Sequence, residues 1–120
     1  MQPLGVHHVS VNVADVDTAL DFYVGALGFR QRRDRPDFGI GGAWLDVGSQ
    51  QVHLVEGVVP EACGQHFAIW VGDLDEVVGE LRGRGLAVSD PMSVGAGPNR
   101  QAFVNDPFGN TVELHQAGAG

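Results

Sequence analysis

The sequence predicts an α+β fold of two βαβββ modules in pseudo-twofold pairing, and three observations predict it. The chain repeats itself: laid so that His8 falls on His66, Val11 meets Ile69, Val13 meets Val71, Asp15 meets Asp73 and Asp17 meets Asp75. Each copy opens with a run that alternates apolar and polar residues, "HVSVNV" and "HFAIWV", the period of a half-buried strand. Each run then leads into apolar residues at helical spacing, followed by three short extended segments broken by Gly, Pro, Asn and Asp. A unit present only twice is no solenoid.

The elements follow in order. Strand 8–13 sets Val9, Val11 and Val13 on one face and His8, Ser10 and Asn12 on the other. The first helix begins at Asp15 as N-cap, carries Val16, Ala19, Leu20, Tyr23 and Leu27, and stops at Gly28. "FRQRR", "GAWLDV" and "QQVHLVE" complete module one, about 5–57, and "GVVPEACG" joins it to module two, about 64–117, within one domain spanning 1–120. There "HFAIWV" sets Phe67, Ile69 and Val71 opposite His66, Ala68 and Trp70. Asp73 with Glu76 forms a capping box for a helix that carries Leu74, Val77, Val78 and Leu81 and ends at Gly85. "AVSD", "RQAFVND" and "TVELHQ" are its remaining strands, with "DPFGN" a turn. One deleted residue sets Gly28-Phe29 on Gly85-Leu86, and compensating insertions set "QVHLVE" on "TVELHQ", so that His53 meets Glu113.

Composition narrows the function. Apolar content of 43% with 18% charged residues is globular. Fifteen acids against seven bases, all arginine, give a net charge of -8, which excludes the basic footprint of a nucleic-acid binder. Only "RQRRDR" (30 to 35) is locally basic, and it reads as a solvated edge strand before it reads as a site of anion recognition. The lone Cys63 forms no intrachain disulfide and fits a reducing compartment. No secretory leader or membrane-length apolar run is visible, so the expectation is a cytoplasmic, soluble protein without a membrane partner.

The helix of each module is expected to cover the aliphatic face of its sheet. The other face keeps His8, Ser10, Asn12, Gln51, His53, His66, Ala68, Trp70, Glu113 and His115. His8 and His66 are repeat-equivalent, as are His53 and Glu113, and ligand-type residues at both equivalent positions of both halves exceed chance. If the sheets curve around a common cleft, His8, His53, His66 and Glu113 point inward as a donor set for one divalent transition metal: Zn, Ni, Co, Fe or Mn. His7 is expected to face away from His8, and His115 to lie one pleat beyond Glu113, so neither is taken as a primary ligand. Arg100, before a strand near that cleft, could clamp a substrate carboxylate; Trp70 could stack on a ligand; Asn12 and Gln51 could orient ligand or substrate.

The H-x-x-V-x-V opening, "D-x-D-x-A-x-x-FY-x-x-x-LGF", the second-module His66 and "F-x-x-DP-x-GN-x-x-EL" resemble the vicinal oxygen chelate superfamily: glyoxalase I, extradiol dioxygenases, fosfomycin-resistance enzymes and bleomycin-binding proteins. The resemblance covers nearly the whole chain. It implies the paired βαβββ fold, a metal held by His8, His53, His66 and Glu113, a small-molecule substrate, and a homodimer in which the site can combine modules of two chains. A glyoxalase-like member would use Glu113 as both ligand and catalytic base. His53 departs from the glutamate usual there in bacterial-type glyoxalases.

The resemblance favours a metal-dependent lyase or isomerase acting on a small oxygenated metabolite. A fosfomycin-type thiol transferase is an alternative. It would use Ser10 beside the oxirane, but it meets Ala102 where a tyrosine is expected and has no lysine. An extradiol dioxygenase, or a protein that sequesters a drug or natural product without chemistry, also stays open.

Overall fold

In the computed structural model, which describes residues 1–118, the first strand of each module pairs in parallel with its last. β1 (His8–Val13) lies beside β4 (Gln50–Glu56), and β5 (His66–Val71) beside β8 (Thr111–Gln116). Antiparallel pairing extends the sheets, through β3 (Gly42–Val47) to β2 (Arg30–Gln31) and through β7 (Arg100–Asn105) to β6 (Met92–Ser93). The fold is therefore α+β, with two similar modules that each carry a mixed four-stranded sheet, ordered β1-β4-β3-β2 and β5-β8-β7-β6. The chain divides into compact units at Glu61 and Ala62.

In both modules the helix packs on the aliphatic face. Val11, Val13, Ala43, Leu45, Val52 and Leu54 are buried under Ala19, Phe22 and Tyr23 in the first. Ala102, Val104, Val112 and Leu114 are buried with Leu74, Val78 and Leu81 in the second. Each large aliphatic or aromatic side chain withdrawn from water this way contributes about 1.5–3 kcal/mol.

The helices obey their caps. Asp15 accepts from the backbone N–H of Thr18 before α1 (Val16–Leu20), and Asp73 accepts from that of Glu76 at 3.1 Å before α2 (Leu74–Gly83). α2 ends in a Schellman arrangement, with Leu86 N–H on Leu81 C=O and Gly85 N–H on Arg82 C=O. Gly85 has φ 85°, a left-handed value that disfavours any side chain.

Two elements differ from expectation. The first helix is not α-helical to its end: after Leu20 it widens into a π-helix over Asp21–Ala26, closed by Leu27 N–H on Phe22 C=O. Five α-helical and six π-helical residues stand where α2 has ten, so the widened turn absorbs the extra residue of the first repeat. It also lets the consecutive Phe22 and Tyr23 both bury, edge to face at 4.9 Å. In module two the edge strand is Met92–Ser93 rather than "AVSD" (87 to 90). Val88 only bridges Val104 and Ser89 bonds Phe103, because Pro91 has no N–H with which to continue the ladder. "FRQRR" likewise contributes only Arg30–Gln31 to its sheet.

Leu54 and Leu114 are 1% and 0% exposed. Leu54→Ala and Leu114→Ala should each lower unfolding free energy by about 2–5 kcal/mol in urea denaturation. Leu4→Ala, at a fully exposed position, should leave the midpoint unchanged.

Candidate metal centre

In module one, parallel register sets Ser10 opposite His53 and His8 opposite Gln51, all on the face away from the helix. The His8 and His53 rings stack with centroids 3.9 Å apart at 13°. Trp44, the β3 partner of His53, stacks on the other side of that ring at 4.7 Å and 15°. Gln51 Oε1 accepts from His53 Nε2 at 2.8 Å, which leaves Nδ1 as the bare nitrogen of a neutral imidazole. Burial, then the neighbouring His8, His7, Arg35 and Arg32, hold His53 below the ordinary histidine value of 6.5. That keeps it unprotonated at neutral pH, as a ligand must be.

Module two specifies its protons more completely. Gly118 N–H donates to Asn99 Oδ1 at 2.9 Å, which turns the Asn99 amide nitrogen toward His115, where Nδ2 donates to Nε2 at 3.0 Å. His115 therefore carries its proton on Nδ1 and donates it to Glu113 Oε2 at 2.7 Å. On the other side, His66 donates Nδ1–H to the Gly64 carbonyl at 2.9 Å, so its Nε2 is bare in the neutral ring. That nitrogen stands 3.2 Å from Glu113 Oε1. Two lone-pair donors held face to face are at ease only with a cation between them, a proton or a metal ion. Glu113 is 9% exposed and His66 lies open to solvent, so the carboxylate is held in place while the imidazole edge stays accessible.

The donor types, imidazole nitrogen with nitrogen and imidazole nitrogen with carboxylate oxygen, fit a divalent transition metal. Each module brings its own expected pair together: His8 with His53, and His66 with Glu113. Among the described residues no group of three or more His, Cys, Asp or Glu that could hold a metal ion is found. Each module therefore holds one ligand-type pair on the open face of its own sheet.

Several neighbours differ from expectation. His7, expected to face away, precedes β1 rather than alternating within it. Its Nδ1 lies 2.8 Å from that of His8. His115 is Glu113's direct partner, since residues two apart on a strand share a face. Asn99 and the Gly64 carbonyl went unremarked because loops set their positions. Gln51 fixes His53, and Asn12 donates to the Val58 carbonyl at 2.9 Å, so both orient protein groups. Ser10 is exposed opposite His53, and Trp70 is 72% exposed with its ring edge on His115 at 5.2 Å.

Arg100 is not a substrate clamp. Register with Gln116 puts it on the helix side of the sheet, and its fork closes on Asp75 of α2 at 2.9 and 3.0 Å. Ala102 shares that side, fully buried, so the ligand face at this strand belongs to Gln101 and Phe103. The alanine therefore says nothing against a thiol transferase.

Two modules of this topology, with imidazole and carboxylate side chains on their open faces, define a class of small α+β proteins. A family model described as the Glyoxalase/Bleomycin resistance protein/Dioxygenase superfamily matches residues 5–114, and the chain belongs to that superfamily. It is 33% identical to a lactoylglutathione lyase of Arabidopsis thaliana over 92% of its own length and 44% of that protein's. The chain thus spans less than half the length of the plant relatives it matches. Its fold is similar to that of a glyoxalase family protein from Bacillus anthracis, with TM-score 0.86 and 27% identity over 97% of each chain. It is also similar to an antibiotic binding protein from Streptomyces sp. CB03234, with TM-score 0.78 and 29% identity over 98% of this chain and 99% of that one.

Arg100 lowers the Asp75 carboxyl below its ordinary 3.8 through the paired hydrogen bonds. A lowered folded value means that the pair stabilises fully above 3.8 and is lost as pH falls through the lowered value. Arg100→Gln should therefore melt below the parent protein at pH 7, with the gap closing in acid. A gap that persists unchanged at the lowest pH would mean that Arg100 acts by packing.

Proposed function

We propose that the protein is a metal-dependent lyase or isomerase of the glyoxalase type, acting on a small oxygenated metabolite, with His8, His53, His66 and Glu113 as the metal ligands. The observation that carries this reading is the bare Nε2 of His66 opposite the bare Oε1 of Glu113, each locked by a partner on its far side. A divalent ion there supplies a Lewis acid for an oxygen that gains negative charge.

The chain's own groups do the rest. Glu113 Oε1 takes the proton from the hydroxyl-bearing carbon beside the substrate carbonyl and returns it to the former carbonyl carbon. The hydroxyl proton passes to the former carbonyl oxygen, so that no atom is gained or lost. His115 Nδ1–H holds Oε2 throughout, so the carboxylate keeps its orientation while its charge changes. Gly64 and Gln51 keep the protons of the His66 and His53 rings away from their donor nitrogens. Ser10 and Trp70, exposed beside the ligands, are the substrate contacts. We place the active form as a cytoplasmic homodimer, with the four ligands drawn from one chain or from modules of two. The exposed free Cys63 fits that reducing compartment.

The second reading is sequestration of a natural product without turnover. The likeness to the antibiotic binding protein favours it.

Elemental mass spectrometry of tag-free protein should find about one transition metal per donor set, sharply reduced in His8→Ala and in His66→Ala. Full occupancy in both variants would remove the ligand assignment. Glu113→Gln should keep its circular dichroism and lose about 10²–10⁴ in turnover of the α-oxoaldehyde–thiol adducts that a glyoxalase-type lyase takes. A metallated protein that binds such compounds but never converts them would establish the second reading.

A further inference from the structure

Four of the chain's seven basic residues fall within 30–35, although the protein as a whole carries a net charge of -8. Around this segment two clefts, of about 530 and 760 Å³, share Gln31, Arg32 and Arg33. Either volume suits a small metabolite. Arg35, Gly42 and Ala43 complete the smaller cleft.

The arginines here differ in their partners. Arg32 is consumed by structure: it donates to both carboxylate oxygens of Asp34, at 3.0 and 2.7 Å, and to Asp46 at 2.9 Å. Arg33 and Arg35 form no ion pair among the described residues, whereas Arg32, Arg82 and Arg100 all do. Arg35 is half-buried and preformed. One Nη2–H goes to the Ile40 carbonyl at 3.0 Å, and its Cζ lies 5.2 Å from the centre of the Phe38 ring. A Cβ at Gly42 would meet the Leu54 carbonyl oxygen first and then Nη2 at 2.7 Å, so the guanidinium lies close against the strand backbone there. A half-withdrawn cation with most of its five donors unspent gains most from an anion.

We propose that this cleft binds a small oxyanion, a carboxylate or phosphate group carried by a metabolite, with Arg35 as the fixed fork and Arg33 as the second cation. Planar guanidinium groups match the paired oxygens of both anions, and a fork held in place before binding gives up little freedom on capture. Phe38 contacts Trp44 at 6.2 Å and Trp44 stacks on His53, so the cleft lies at the end of the ring column that carries a candidate metal ligand. The assignment does not depend on that ligand, and its test needs no metal.

Inorganic phosphate and succinate, each titrated into chelator-treated protein at low salt and followed by amide NMR, should shift residues 31–35 and 42–43. Arg35→Gln and Arg33→Gln should each weaken that binding about tenfold or more. Arg84→Gln, an equal change in net charge on an exposed helix end, should leave it intact. Arg33 is exposed, so its variant tests the site even if Arg35→Gln unfolds. Stronger binding of phosphate would assign a phosphate ester, and stronger binding of succinate a carboxylate. Equal weakening in Arg84→Gln, or parental binding in Arg33→Gln, would overturn the proposal. His8→Ala should bind both anions as the parent does, so a failed metal assignment leaves this result readable.

Discussion

The parallel pairing of first with last strand is the constraint on which the rest depends. It crosses over a helix, so one sheet face is committed to hydrophobic packing and the polar side chains collect on the other. Because pleat alternation has no slack, a one-residue slip of β8 against β5 would send Glu113 into the helix interface and Leu114 to the open face. The aliphatic core thereby enforces the register that the chemistry needs.

On that frame the two modules handle protons differently. The second fixes every proton by a chain of single-valued choices, from Gly118 through Asn99 and His115 to Glu113. The first relies on stacked rings and burial, with three imidazoles close together and a tryptophan beneath. Module one carries His53 where module two carries Glu113, and an imidazole can stack on Trp44 and His8 as a carboxylate cannot. The halves keep one backbone plan with two electrostatic solutions.

Much of this was legible from period-two alternation alone. Counting along the strands puts His8 with His53 on the open face of the first sheet and His66 with Glu113 on that of the second, and the registers agree. The same counting sets His115 on the face of Glu113, one pleat along, and its imidazole leans back along the strand to reach Oε2. Arg100 is not legible this way. Its side of the sheet depends on which residue of β8 it faces, and nothing local announces the match with Gln116. Asn99 and Gly64 act through loop positions that no periodicity reaches. The edge strand at Met92–Ser93 was missed because Pro91 divides the segment in two.

The widened turn at Asp21–Ala26 bears on how the two halves keep their phase. An extra residue in a regular helix rotates everything after it by about 100° and would carry the following strand out of phase. Here the surplus is swallowed inside one turn, and Gly28 leaves the helix as Gly85 does, with left-handed backbone at both. The turn lets one half of the repeat carry one residue more than the other without disturbing the strands on either side.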